Sequence, residues 1–296
     1  MPGKFPAPAR GPAETALRYG DVVSGTKPDL GEIQETLLIP LYARACDAAS
    51  RRPVLGDRRA RELVDAIDYD FSRFVGSSLG GSVSRTSIFD GWTAQFLREH
   101  PAGTVVELGT GLNTRFDRLD NGQVHWFDLD LPDAIALRRR FFSDSDRCTM
   151  LAGSVLDADW FDTVAASPGP YLFLSEAVLI YLSEDEVRGT LTRLSQRFPG
   201  ALIAFDTAGE KMVSGQDRNK SLAQVTARLE WVCDNPRDLE RCGLELLDTR
   251  TLATPQPEIA KTWPPQRRYG MPVLARLAPS MVNTYKFNLF RAAPER

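Results

Sequence analysis

From Glu32 onward the apolar positions recur at three- and four-residue steps. Ile33, Leu37, Leu38, Leu41, Tyr42 and Ala45 mark one face of an amphipathic helix. A second helix is expected over Arg58 to Ile67, followed by a Gly/Ser-rich loop from Gly76 to Ser84. A third runs from Thr86 to Glu99 and stops at His100-Pro101, because proline disfavours the helical region for the residue before it. Beyond Pro101 the pattern changes to short apolar runs separated by helical stretches. Thr104 to Leu108, Val124 to Asp128, Cys148 to Ala152, Tyr171 to Leu174 and Ala201 to Asp206 read as strands. Between them, helices are expected from Pro132, well placed in a first turn, to Phe142, and from Ser183 to Phe198, whose acidic first turn suits the helix dipole. Continuous apolar strands alternating with helices imply an α/β fold with a doubly wound, parallel sheet covered on both faces. The tail breaks the rhythm. Ser221 to Val232 and Pro236 to Cys242 read as helices, with strands over Leu244 to Asp248 and Tyr285 to Arg291. Thr254 to Pro279 holds six prolines and reads as a loop or lid.

Composition narrows the class. The chain has 296 residues, 43% hydrophobic and 25% charged, enough for one large core or two domains. Its 36 basic and 39 acidic residues nearly cancel, with no long basic run, so binding to nucleic acid is not expected. The most apolar stretch, Tyr171 to Leu182, is broken by Ser175 and Glu176 and is too short for a membrane span. No apolar segment follows the basic N-terminus, so no signal peptide is expected. Cys46, Cys148, Cys233 and Cys242 form no CxxC pair and read as reduced thiols, which fits a cytoplasmic protein. The first 31 residues, with five Gly and five Pro, read as a flexible arm, residues 32–100 as a helical cap, and 101–296 as the α/β domain, with a lid over 250–282.

The strongest chemical signal is Val105-Val106-Glu107-Leu108-Gly109-Thr110-Gly111-Leu112-Asn113-Thr114, a strand running into a glycine turn. Glycines there let backbone approach a nucleotide closely. Asp130 ends the second strand, where a carboxylate can accept both ribose hydroxyls of an adenosine. Thr114 stands where the dinucleotide fingerprint has its third glycine. That disfavours a nicotinamide reductase and favours an adenosine cofactor without phosphates, of which S-adenosylmethionine is the common one. No GxxxxGK[ST] occurs, so a P-loop is excluded.

Arg85 to Phe89, VELGTGLNTRFDRLDNG, VHWFDLDLP, Asp157-Ala158-Asp159-Trp160 and SEAVLIYL, in that order, together resemble the leucine carboxyl methyltransferase family. With ETLLIPLYARA and IDYDFSRF, the chain is most similar to the branch of the tetracenomycin polyketide synthesis O-methyltransferase. The resemblance implies a class I methyltransferase, a Rossmann-like sheet of about seven strands that binds S-adenosyl-L-methionine. It implies Gly109 and Gly111 lining the cofactor, Asp130 on its ribose, Arg85 on its carboxylate, Glu176 at its methionine end and Tyr181 nearby. Arg44 matches a basic position at the cofactor or acceptor carboxylate. Ser154 and Val155 stand where the family often has Asp-Leu beside the adenine. Adenine recognition is then left to the Ser154 hydroxyl, the backbone there, or Asp157.

Methyl transfer is an in-line displacement, so the protein must chiefly align two reactants and exclude water. A carboxylate acceptor, with a pKa of about 4, arrives ionised, whereas a phenol at about 10 wants a base. The chain has only two histidines, neither at a strand's C-terminal end, and no acidic companion set beside Asp206 for a metal. Carboxyl methylation of a small natural product or a peptide C-terminus is therefore expected, without metal. Transfer to phenol, nitrogen or carbon, and a non-catalytic cofactor-binding homologue, are the alternatives. Arg44, Arg267 and Arg268 are candidate clamps for the acceptor, and Trp263, Tyr269 and Met271 candidate lid contacts.

Overall fold

The computed structural model describes residues 32–74, 78–218 and 227–294; the arm expected over 1–31 lies outside them. Seven strands among these residues form one sheet in the order β3-β2-β1-β4-β5-β7-β6. They are β1 (Thr104–Leu108), β2 (His125–Asp130), β3 (Cys148–Ala152), β4 (Tyr171–Ser175), β5 (Leu202–Ala208), β6 (Leu244–Arg250) and β7 (Tyr285–Ala292). The first five are parallel neighbours, as the alternating pattern implies. The last two depart from it. β7 inserts antiparallel between β5 and β6 and is buried on both sides, a position invisible in a short apolar run.

Helices α1 (Glu32–Ala48), α2 (Arg58–Ala66) and α3 (Ser78–Glu99) precede the sheet. Within it come α4 (Arg115–Leu119), α5 (Pro132–Arg138), α6 (Phe161–Ala165), α7 (Glu184–Arg197) and α8 (Glu210–Ser214). Three more, α9 (Pro257–Thr262), α10 (Pro265–Leu277) and α11 (Pro279–Val282), lie between β6 and β7.

Strand side chains alternate between two cores. Val106, Leu108, Phe127, Phe173, Ile203 and Phe205 pack on one face with α6 and α7. Val105, Trp126, Leu172, Leu174 and Ala204 pack on the other, against Ile88, Phe89, Trp92 and Phe96 of α3. This period of two on a sheet buried on both sides explains why the strands read as continuous apolar runs. Helices α1 and α2 form a third cluster with Leu112, Leu137 and Phe141, which brings α1 over the turn after β1.

Four expectations are corrected. Helix α3 begins at Ser78, eight residues before Thr86, so Gly80 and Gly81 are helical and not in a loop. Gly80 pays for its low helix propensity by admitting a side chain: a Cβ there would sit 1.8 Å from Nη2 of Arg267. The segment Thr254 to Pro279 is mainly helical. Pro257, Pro265 and Pro279 each stand at a helix start, where a missing N–H costs nothing, so half of its six prolines begin helices instead of breaking them. The helix expected over Ser221 to Val232 lies partly outside the described residues, and 227–232 are not helical. Leu229, Trp231 and Cys233 are buried and alternate with exposed Glu230 and part-buried Val232, a period of two that overrides the helical reading. Helix α5 stops at Arg138 and continues to Phe142 only as turns.

The Phe205 ring, fully buried in β5, stacks on Phe290 of β7 at 5.0 Å and lies beside Trp231. Phe205→Ala is expected to lower unfolding free energy by about 3–5 kcal/mol, measured by urea denaturation, through the cavity it opens where β5 meets β7.

Candidate active site

β1 and β4 are neighbours, yet the chain leaves β1 toward β2 on one side and β4 toward β5 on the other. The crevice at the carboxyl ends of strands at such a reversal is where open α/β sheets bind ligands. Its floor is the turn after β1. Gly109 and Gly111 have φ of 73° and 52°, a left-handed backbone that side chains resist. A Cβ on Gly109 would also lie 2.3 Å from Val178, and one on Gly111 3.0 Å from Leu37 of α1. At both glycines the space a Cβ would take is filled by a neighbouring side chain, so the turn packs directly against Val178 and against α1.

Asp130 closes one side of the turn. Its Oδ2 accepts the Gly111 N–H at 2.6 Å and its Oδ1 the Leu131 N–H at 2.8 Å. Burial raises its pKa, while these two amide donors oppose the rise. Beneath it sits a buried pair that sequence reasoning missed. Arg138 of α5 meets Asp128 of β2 at 2.6 Å and donates to the carbonyls of Gly111 and Asn113, at 3.0 and 2.7 Å. Asp128 also accepts from the Thr110 hydroxyl at 2.9 Å. The glycine turn is therefore clamped by a guanidinium, and the FDLD run holds one acid for the scaffold (Asp128) and one for the crevice (Asp130).

Glu176, immediately after β4, faces three donors. Its Oε1 accepts from Nε of Arg85 at 2.9 Å and from the Thr86 hydroxyl at 2.7 Å; its Oε2 accepts from Nη2 of Arg115 at 2.5 Å. Burial disfavours its charge, but the two guanidiniums and their hydrogen bonds win, holding its pKa near about 2. Arg115, fully buried, also binds Glu107 at 2.8 Å and Asp90 at 2.7 Å. Asp90 in turn is gripped by Arg118, which reaches Asp57, and Asp57 holds Arg44 at 2.9 Å. On the far side Ala177, at a φ of 56°, donates its N–H to Asp206 at 2.9 Å. An unbroken chain of ions thus links the cap helices, the glycine turn and the end of β4.

The expected site residues divide. Arg85, Gly109, Gly111, Asp130 and Glu176 surround the crevice. Ser154 and Val155 follow β3 on its rim, with the Ser154 hydroxyl accepting the Leu156 N–H at 3.1 Å. Tyr181, half-buried after β4, has its phenol pKa raised by burial, with Arg85 and Asp206 as its charged neighbours. Arg44 is drawn away from any acceptor: it is buried, paired with Asp57, and donates to the Leu112 carbonyl at 2.7 Å. Trp263 is core, its indole donating to the Ser87 hydroxyl at 2.9 Å, so it fastens α9 and α10 to α3 and does not line an open lid. Arg268 lies over the ring of Tyr269, which is 62% exposed. The structure does not bring these two to the crevice. Asp57, Asp90, Glu107, Arg115 and Arg118 escaped sequence reasoning: Asp90, Arg115 and Arg118 look like solvated helix faces, Asp57 like a helix cap, and Glu107 is a single acid within a strand. The signal for Glu107, Arg115 and Arg118 was their position inside the quoted VELGTGLNTRFDRLDNG motif; Asp57 and Asp90 lie outside the quoted motifs.

The ion chain makes a pH prediction. Because folding depresses the Glu176 pKa from 4.5 to about 2, its contribution to stability is complete above 4.5 and vanishes as pH falls through 2. Glu176→Gln is expected to be less stable at neutral pH. Between pH 4.5 and 2 its stability should fall less steeply than that of the wild type, as followed by urea midpoints across that range.

The crevice fits S-adenosylmethionine on its own geometry. Asp130 at the end of β2 and Glu176 after β4, which is held anionic, are carboxylates of the kind that a ribose diol and an ammonium group would require. The leucine carboxyl methyltransferase family model matches residues 38–195. The tetracenomycin polyketide synthesis O-methyltransferase TcmP of Streptomyces glaucescens is 36% identical over 211 residues, covering 70% of this chain and 78% of that protein. The S-adenosyl-L-methionine-dependent methyltransferase dpfgK of Gibberella zeae is 32% identical over 247 residues, covering 74% and 83%. A DUF574 family protein from Streptomyces avermitilis shares the fold, with a TM-score of 0.54 at 15% identity over 86% of this chain and 97% of that one. The chain belongs to the leucine carboxyl methyltransferase family, as an S-adenosylmethionine-dependent methyltransferase.

Proposed function

We propose that this enzyme methylates a carboxylate oxygen of a small natural product or of a peptide C-terminus. One observation carries the reading: among the described residues, the acids around the crevice are spent on cations and backbone amides. Glu176, Glu107 and Asp90 are ion-paired, and Asp206 holds the Ala177 N–H and the Tyr285 hydroxyl. The phenols of Tyr181 and Tyr285 have raised pKa values, which makes them poor bases. His100 and His125 stand before β1 and at the start of β2, at the opposite edge of the sheet from the crevice. A phenol or alcohol acceptor would need its proton removed, whereas a carboxylate near pKa 4 arrives ready, so this equipment favours the ester.

Bound S-adenosylmethionine supplies a methyl group on a positively charged sulfur. In this reading Asp130 accepts from the ribose hydroxyls, Glu176 faces the ammonium, and Arg85 receives the carboxylate. Gly109 and Gly111 shape the turn beside the cofactor, and Ser154 with Val155 borders the adenine. Tyr181 stands at the methyl-bearing end and excludes water. Holding both reactants in line contributes up to about 7–11 kcal/mol without any general base.

Two measurements test this. Asp130→Ala removes a charged acceptor, so calorimetry is expected to show S-adenosylmethionine binding at least about tenfold weaker; an unchanged affinity would remove Asp130 from the site. Product made with labelled methyl groups should release methanol in mild alkali. An alkali-stable product means an ether, N-methyl or C-methyl product and overturns the ester.

A further inference from the structure

Tyr285 is the first residue of β7, paired with Ala208 at the carboxyl end of β5. The chain reaches it only after the α9 to α11 excursion, yet its hydroxyl meets the side chain of Arg85, 200 positions earlier. The Tyr285 oxygen accepts from Nη1 of Arg85 at 3.2 Å and donates its own proton to Asp206. Asp206, fully buried, is fixed through its other oxygen by the Ala177 N–H next to Glu176. The ring is held too, edge-on to Phe287 at 5.0 Å.

We propose that Tyr285 is a positioning residue for cofactor recognition: anchored on Asp206, it holds the Arg85 guanidinium in the orientation that receives the methionine carboxylate. The inference rests on the assignment of Arg85 made above. Arginine has many rotamers, and a carboxylate clamp works best when its fork is set beforehand. Here Glu176 takes Nε on one edge and Tyr285 takes Nη1, while Nη2 makes no hydrogen bond among the described residues. Two anchors therefore orient the planar group and leave one amino group for a ligand. The direction of the bonds is also set. Burial keeps the phenol protonated, so toward a carboxylate it must donate and toward a guanidinium it must accept. A purely structural tyrosine would need only the Asp206 bond; the additional contact with Arg85 ties β7 to the cofactor.

The experiment compares S-adenosylmethionine with its decarboxylated analogue, which lacks only the carboxylate, by calorimetry on the full chain. The wild type should prefer the intact cofactor. Tyr285→Phe keeps the ring and is expected to weaken S-adenosylmethionine about tenfold, in line with losing one bond to a charged group, while the analogue changes by less than about twofold. Equal losses for both ligands, or no loss for either, overturn the inference and leave Arg85 as assigned. A wild type that does not distinguish the ligands overturns the Arg85 assignment together with the inference. If Tyr285→Phe fails to fold, Asp206→Asn, which keeps the shape but weakens the anchor, must show the same selective loss. An unselective one overturns the proposal.

Discussion

The Arg115 side chain is sealed from solvent with three carboxylates around it. Removing such a group from water costs several kcal/mol, and only near-complete pairing offsets the cost. Each carboxylate belongs to a different element: Asp90 to α3, Glu107 to β1, and Glu176 to the turn after β4. The cation can be satisfied only if helix, strand and turn all stand in their final places. The requirement spreads through Asp90 to Arg118, Asp57 and Arg44, and through Glu176 to Arg85 and Asp206. These charges stabilise by mutual dependence: the loss of one leaves its partners buried with part of their charge uncompensated.

That dependence fixes the turn after β1 and the residues that follow β4. Asp128 and Arg138 lock the glycine turn from below, so Gly109 and Gly111 keep their left-handed backbone before any cofactor arrives. Glu176 is held anionic by the same guanidiniums that fix its position. In the proposed reading, one set of ion pairs supplies both the geometry of the methionine end and its charge. The antiparallel β7 adds the last constraint by delivering Tyr285 to the same cluster from the far end of the chain.

Much of this was legible in the amino-acid order. The five parallel strands were readable because strands buried on two faces are apolar throughout, and the glycine turn because its conformation excludes side chains. Asp130 and Glu176 were recognisable at strand ends, where a carboxylate is conspicuous against apolar neighbours. The proline-rich segment was misread because proline both breaks helices and begins them, and only the packing of Trp263 against Ser87 selects the second use. Gly80 was misread for a related reason: the Arg267 side chain that fills its empty Cβ position comes from 187 residues away.

By itself the sequence determined the five parallel strands, the longer helices among them, the glycine turn and the carboxylates at the ends of β2 and β4, because these follow from local periodicity and from motifs a few residues long. The tertiary structure alone decided which charges pair, why Arg44 is spent on Asp57 and unavailable to an acceptor, and how Tyr285 comes to brace Arg85. An ion pair has no periodicity along the chain; its partners are chosen by distance in space and by the cost of leaving a buried charge alone.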